Sequence, residues 1–554
     1  MQCKPSYSLY ALLGMLAAPV VVMLAWSYQA QAWRSILTLA LSAAVTFILI
    51  AGLTRTWRRF VLFSFPLFAF GLIYTALTLQ MGIVPGRAMA LLLNSSAPED
   101  MIGAVRVSGG TWPAVALILL LGGYLYLASR LPTRRIFSRP VVLATRAALA
   151  LCLLAVTVVA GDAAELIDGL AISPYTGPLI FLSADMPRAR AELRGALVAK
   201  IPYRAHRTGI GEEVHVLVVG ESARRDSWSA YGYTRPTTPY LNSLRGEAIF
   251  LQDAIADANL TEWSYPMMLT GLCPQEFDVS HLRGNLLDLA REAGYSTAWL
   301  TNQDIRMATM IGIAPDRLEY RADLRGNING RHLWDQVMLP AYQRELTRTG
   351  TARFIGIHLM GSHWEYYLRY PAGFQRFGPA SHLNVLSIFA AKGDADRELV
   401  DSYDNSILYT DWFLQQIIES LRVIKIPATV TYFPDHGEDL EPLDGEAGHG
   451  QPRYTPHAFE LPAFVWANDA YRAAHPEIYS ALKRNASKEI RTHNVFYTVA
   501  QVMGITWPGA SMEKSFASDR FVPDATRQHI AGGVLITRPS DGKPVSRTPS
   551  VAAR

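Results

Sequence analysis

Five apolar stretches within the first 161 residues limit what this chain can fold into more than any other feature. They run from Ser8 to Tyr28, Ile36 to Leu53, Phe60 to Gln80, Trp112 to Ser129 and Val141 to Gly161. Each is about 18 to 21 residues long, enough for a helix to cross a hydrocarbon core about 30 Å thick, and core helices of soluble proteins do not repeat such runs. A cleaved leader would account only for the first stretch, and "AWSYQAQAW" is a weak cleavage site. The sequence therefore predicts a five-helix transmembrane domain over residues 1–161. Arg55, Arg58 and Arg59 follow the second stretch, and Arg130, Arg134, Arg135 and Arg139 follow the fourth; cationic loops of this kind stay cytoplasmic. Five crossings then deliver the chain to the far side, where Asp162, Glu165 and Asp168 come next. The loop near residues 81–111 belongs to the same outer side, and its "LLLNSSAPEDM" is either a plain connection or a surface beneath the exported domain.

The net charge of +4 is spread along the chain without a basic tract, which excludes nucleic acid as a partner. Of the three cysteines, Cys3 and Cys152 belong to the membrane half, so Cys273 has no internal disulfide partner in the exported half. Beyond a linker at residues 162–212, short apolar runs such as "HVLVVG", "RFIGIH", "ATVTYFP" and "LPAFVWA" alternate with helical patterns. This alternation predicts a soluble α/β/α domain over residues 213–532 on a mostly parallel sheet, the architecture that places ligands at the carboxyl ends of its strands. The tail 533–554, rich in Pro, Ser and Arg, is expected to be disordered.

Chemistry-bearing residues cluster where strands end. "VHVLVVGES" drives a buried strand into Glu221, and "ATVTYFPDHGED" delivers Asp435 and His436, with Gly437 expected to free the backbone for a turn. A lone Asp-His-Gly is more often a turn; paired with a carboxylate on a second strand it suits zinc or manganese. "FIGIHLMGSHWEYYLRYP" presents His358 and His363, and "DGEAGHGQPRY" puts His449 between glycines. In "DANLTEWSYP", Thr261 offers a hydroxyl that ionises beside a divalent cation, and a helix N-cap there, with Glu262 in the first turn, is compatible with that role.

In this order the set resembles the phosphoethanolamine transferases, inner-membrane members of the alkaline phosphatase and sulfatase superfamily. "VVGESARRDSWSAYGYTRPTTPYL" looks like the opening motif of that family, "TEWSYP" like its nucleophile segment and "DHGE" like its closing metal motif. The resemblance implies a sulfatase-like fold and a catalytic zinc, with a second ion left open, held by Glu221, Thr261, Asp435 and His436. Thr261 would attack phosphatidylethanolamine, and the phosphoethanolamine it carries would pass to a lipopolysaccharide (core heptose or lipid A) or a periplasmic glucan. His358, His363 and His449 would surround the transferred group. Ser95 and Glu99 would meet the head-group amine from the outer loop, serine standing where the family has threonine. The location implied is the bacterial inner membrane, with the catalytic domain in the periplasm. The lack of disulfides, with "HLMGSHWEYYLRYP" and "YDNSILYTD", leans toward the branches that modify core or glucan. The competing readings are a membrane-tethered sulfatase or phosphodiesterase, a glycerol-phosphate transferase and a catalytically inactive scaffold. A sulfatase nucleophile is disfavoured, since Cys273 is followed by "PQEF" without the arginine its maturation requires.

Overall fold

The computed structural model describes residues 7–29, 33–54, 56–81, 111–131, 173–191, 202–209, 211–278, 284–303, 311–320, 334–378, 392–440 and 448–538, together with residues 90, 200 and 282. Four of the five apolar stretches coincide with helices: α1 (Tyr7–Gln29), α2 (Trp33–Thr54), α3 (Trp57–Met81) and α4 (Thr111–Ser129). Two segments, Tyr7–Ala25 and Trp57–Ala76, are long and apolar enough to cross a membrane, and Val115–Ser129 is a shorter apolar helix. The fifth stretch lies outside the described residues.

Polar groups within these helices are satisfied locally. The Thr46 hydroxyl donates to the Ser42 carbonyl, Ser64 to Phe60 and Thr75 to Gly71, each one turn back. Tyr124 donates to the Val61 carbonyl at 2.9 Å and so ties α4 to α3. Phe63, Ile118 and Leu119 point outward, as a surface meeting lipid requires. Gly71 admits the segment at Pro174 and Tyr175, because a Cβ there would stand 2.7 Å from the Pro174 carbonyl oxygen.

The chain from residue 202 onward contains twelve described strands. In chain order they are β1 (His206–Arg207), β2 (Val214–Gly220), β3 (Ile249–Ile255), β4 (Ser296–Thr301), β5 (Arg317–Tyr320), β6 (Arg353–His358), β7 (Ala428–Pro434), β8 (Glu460–Ala467), β9 (Glu489–Arg491), β10 (Ile505–Thr506), β11 (Gln528–Ala531) and β12 (Val534–Thr537). Eight of them form one sheet in the order β5-β4-β6-β2-β7-β8-β3-β9. Only β8 is reversed: it pairs antiparallel with β7 and β3, while the other pairs are parallel. The sheet is thus mixed, with its parallel core at β4-β6-β2-β7. Because β7 ends and β8 begins at the same rim, the connection between them starts and finishes beside the carboxyl ends of the parallel strands.

Both faces are covered, which is why the strands read as continuous apolar runs. Val214, Val216 and Val218 pack on one face with Ile407, Phe413 and Leu414 of the long helix Lys392–Arg422. Leu217 and Val219 pack on the other, with Met268, Leu286 and Phe496. The helices concerned are α5 (Thr261–Thr270), α6 (Leu286–Glu292), α7 (Leu339–Leu346), α8 (Lys392–Arg422) and α9 (Asn494–Val502). The tail is ordered further than expected. Val534–Thr537 pairs antiparallel with Gln528–Ala531, so regular structure passes residue 533, because the four-residue "VLIT" buries its backbone polar groups in a hairpin. Residues 539–554 lie outside the described set.

Candidate active site

Three parallel neighbours, β6, β2 and β7, end side by side, and their last or next residues are His358, Glu221 and Asp435. Gly220 is required at the turn out of β2, since a Cβ there would lie 2.4 Å from the Tyr432 hydroxyl oxygen. Ser222 then adopts a left-handed conformation, with φ of 51°, a strain of the kind that collects at functional sites. Its backbone N–H donates to Asp435 Oδ1 at 3.2 Å and its hydroxyl to Glu221 Oε1 at 2.8 Å.

Thr261 arrives from the end of β3 through residues 256–260. It is the first helical residue of α5, with Leu260 as the N-cap and no side-chain cap bond, so the capping alternative does not hold. Its hydroxyl turns into the site instead. It donates to Asp435 Oδ2 at 2.6 Å and lies 3.1 Å from His436 Nε2 and 3.3 Å from Glu221 Oε2. Four residues spread over 216 positions of sequence thus meet at one point.

Glu221, Asp435 and His436 are buried and present ligand atoms within 4.8 Å of one another. His436 Nδ1 donates to the Gly437 carbonyl at 2.8 Å, which fixes the tautomer and turns the Nε2 lone pair toward the carboxylates. Burial, opposed by Asp435, brings the His436 pKa down to about 4, so the ring is neutral near pH 7. Burial and then the charge of Asp435 push the Glu221 carboxyl well above its usual range. Burial also works against Asp435, but His436 and the Thr261 hydrogen bond bring it below its ordinary value. Among the described residues neither carboxylate forms an ion pair with a lysine or arginine. Two buried acids, a neutral imidazole and a hydroxyl fit a divalent cation, and this donor set suits zinc.

Gly437 serves a purpose other than the expected turn. Its φ is not positive, and a Cβ there would stand 2.0 Å from the His457 carbonyl oxygen, so close backbone approach demands the glycine. His449 lies at the rim, its ring 4.2 Å from that of His436 and 6.3 Å from that of His363. Its Nδ1 donates to Glu438 Oε2 at 2.6 Å; burial opposes protonation, and Glu438 more than offsets it, raising the His449 pKa. His363 donates from Nδ1 to the Trp364 carbonyl at 2.8 Å. His358 stands apart from these rings. It stacks on Tyr265 at 4.6 Å, its Nε2 is buried without a hydrogen-bond partner, and burial lowers its pKa to about 4. Ser95 and Glu99 lie outside the described residues.

Two contributors escaped the sequence reading. Gln303, just after β4, donates to Glu221 Oε2 at 2.8 Å and to the Leu359 carbonyl at 2.9 Å. Glu438 joins His436 and His449 in a second group of possible metal ligands and accepts from the Tyr366 hydroxyl. Its place two residues beyond His436 in "DHGED" was the available signal.

Known proteins resemble this chain in sequence and in fold. Phosphoethanolamine transferase EptC of Escherichia coli (strain K12) is 25% identical over 317 residues, 55% of this chain and 53% of that protein. The chain spans about half the length of the curated relatives it matches. The zinc complex of the periplasmic domain of Escherichia coli EptC aligns with a TM-score of 0.54 and 24% identity, covering 61% of this chain and 96% of that one. The integral membrane protein lipooligosaccharide phosphoethanolamine transferase A of Neisseria meningitidis aligns with a TM-score of 0.70 and 18% identity, covering 92% of this chain and 97% of that one, so the likeness in fold extends into the membrane half. The sulfatase family model matches residues 214–505, more than half of the chain and all four converging residues. By that match the chain belongs to the sulfatase family.

Proposed function

We propose that this protein transfers phosphoethanolamine from phosphatidylethanolamine to a lipopolysaccharide or glucan of the cell envelope, acting from the inner membrane with its catalytic domain in the periplasm. The observation that carries the reading is the convergence of Glu221, Asp435 and His436 on the Thr261 hydroxyl at the start of a ten-residue helix. The names of EptC and of the Neisseria transferase, and the zinc in the EptC domain, support it.

A zinc ion held by Glu221, Thr261, Asp435 and His436 would supply the positive charge that lowers the pKa of a neighbouring hydroxyl. Thr261 Oγ1 gives up its proton toward Asp435 Oδ2 and forms a bond to phosphorus, while the bond from phosphorus to the diacylglycerol oxygen breaks. The leaving oxygen takes a proton from His449, whose pKa Glu438 raises. The positive end of the ten-residue α5, which starts at Thr261, suits a phosphoryl group carried there. In the second half an acceptor hydroxyl gives its proton to His449 as its oxygen attacks phosphorus, the Thr261 ester bond breaks and the threonine oxygen takes back the proton held by Asp435. The apolar helices keep the site at the bilayer surface, where the lipid head group resides.

The test uses membranes containing the full chain and phosphatidylethanolamine labelled in its head group. Label should appear on Thr261 and then on a glycan, and Thr261→Ala should abolish both while retaining zinc. Free phosphoethanolamine as the sole product would establish hydrolysis instead, and unchanged labelling in the alanine variant would reject Thr261 as the nucleophile.

A further inference from the structure

We propose that Asn259 is a positioning residue that holds Thr261 and His449 in register across the mouth of the site, using the C-terminal hairpin as its brace. The inference rests on the transferase reading above. Asn259 is buried and lies two residues before Thr261. Its side-chain amide is used in both directions. Nδ2 donates to the Gln451 carbonyl at 2.8 Å, two residues beyond His449, and Oδ1 accepts from the Gly532 N–H at 3.0 Å, in the turn between β11 and β12. Three segments far apart in sequence therefore meet on one amide.

The backbone around it is equally constrained. Asn259 N–H donates to the Ile530 carbonyl at 3.2 Å, and Ile530 N–H donates to the Asp257 carbonyl at 2.8 Å, so the chain that delivers Thr261 runs as a short parallel bridge beside β11. Gly532, at φ of 54°, packs so closely that a Cβ would stand 2.6 Å from the Gly450 carbonyl oxygen. Gly450, at φ of 82°, abuts Leu260, the N-cap of α5. A shift of the hairpin is thus passed to the residues adjoining both Thr261 and His449. None of these contacts touches Glu221, Asp435 or His436, so the brace governs the relative placement of nucleophile and histidine while those three ligands keep their own supports.

Asn259→Asp separates these roles, because an aspartate still accepts from Gly532 but cannot donate to Gln451. The zinc-loaded full chain in detergent is mixed with head-group-labelled phosphatidylethanolamine, and the limiting single-turnover rate of Thr261 labelling and the half-saturating lipid concentration are measured. N259D should lower the limiting rate about 100-fold, the loss that a misplacement of about 1 Å produces, with half-saturation and zinc content at wild-type values and the chain folded at the assay temperature, although a buried carboxylate facing the Gln451 carbonyl lowers the melting temperature. Gly532→Ala, which pushes the hairpin off Gly450, should give the same division. Wild-type labelling in N259D, a change confined to half-saturation, or loss of zinc or of the folded state in step with activity would each overturn the inference. A wild-type chain that takes no label overturns the transferase reading and this inference with it, whereas labelling by both chains at one rate overturns this inference alone.

Discussion

Asp257 anchors the segment that carries the nucleophile, and replacing it with asparagine should cost the domain about 3–5 kcal/mol at pH 7, the usual loss on breaking a buried ion pair from one side. The carboxylate is fully buried. One oxygen accepts from His493 N–H at 2.7 Å and from His493 Nδ1 at 2.8 Å; the other lies 2.8 Å from Arg491 Nη2, an ion pair whose angle falls outside hydrogen-bond geometry. Arg491 is itself buried, and without Asp257 it keeps Asp524 at 3.3 Å as its carboxylate partner. Burial alone would raise the Asp257 pKa, but His493 and Arg491 outweigh it and hold the carboxyl well below the usual carboxylate range. The native state therefore binds this proton less readily than the unfolded chain, so stability from Asp257 is complete above its ordinary value of 3.8 and is lost as pH falls through the depressed native value. Melting of the full chain in detergent should show the Asn variant lower by about 10 °C at pH 7, taking about 2–4 °C per kcal/mol for a domain of this order. The gap should close as pH falls below 3.8. A loss under about 1 kcal/mol at pH 7, or a gap that widens with acid, would refute the assignment of Asp257 as a charged anchor.

Two further substitutions probe the site itself. Glu221→Gln should raise the melting temperature of the chelator-treated chain, because it removes one of two buried acids, and lower it in saturating zinc, because it removes a ligand; the same order in both conditions would count against a cation at this position. Gly220→Ala should destabilise by about 1–3 kcal/mol through overpacking against the Tyr432 hydroxyl, and adding Tyr432→Phe should recover part of that loss in a double-mutant cycle of unfolding free energies.

What the sequence disclosed here was mostly local. The apolar run before Glu221 and the adjacency of Asp435 and His436 place side chains at strand ends by chain geometry alone, and the structure brings them to Thr261. The reversed direction of β8 was not legible, because "LPAFVWA" has the same apolar pattern whichever way it runs between β7 and β3. Nor could spacing reveal that Asn259 meets Gly532, a contact spanning 273 residues that depends on a hairpin of two four-residue strands. Gly437 shows a subtler limit: glycine was correctly marked as needed, but the need comes from a neighbouring carbonyl that only the folded chain supplies. His358 ends its strand as expected, yet its ring is taken up by Tyr265.

The reversal of β8 bears on how such a scaffold diversifies. A parallel successor to β7 would have carried the chain to the opposite edge of the sheet and back, whereas here the peptide between Pro434 and Glu460 departs from one rim and returns to it, with Glu438 and His449 along the way. Lengthening or rewriting that excursion leaves every ladder hydrogen bond in place. Beyond Asp435 and His436, which open that segment, its sequence can therefore change and reshape the rim of the site with neither the residues gathered at Thr261 nor the framework strands renegotiated.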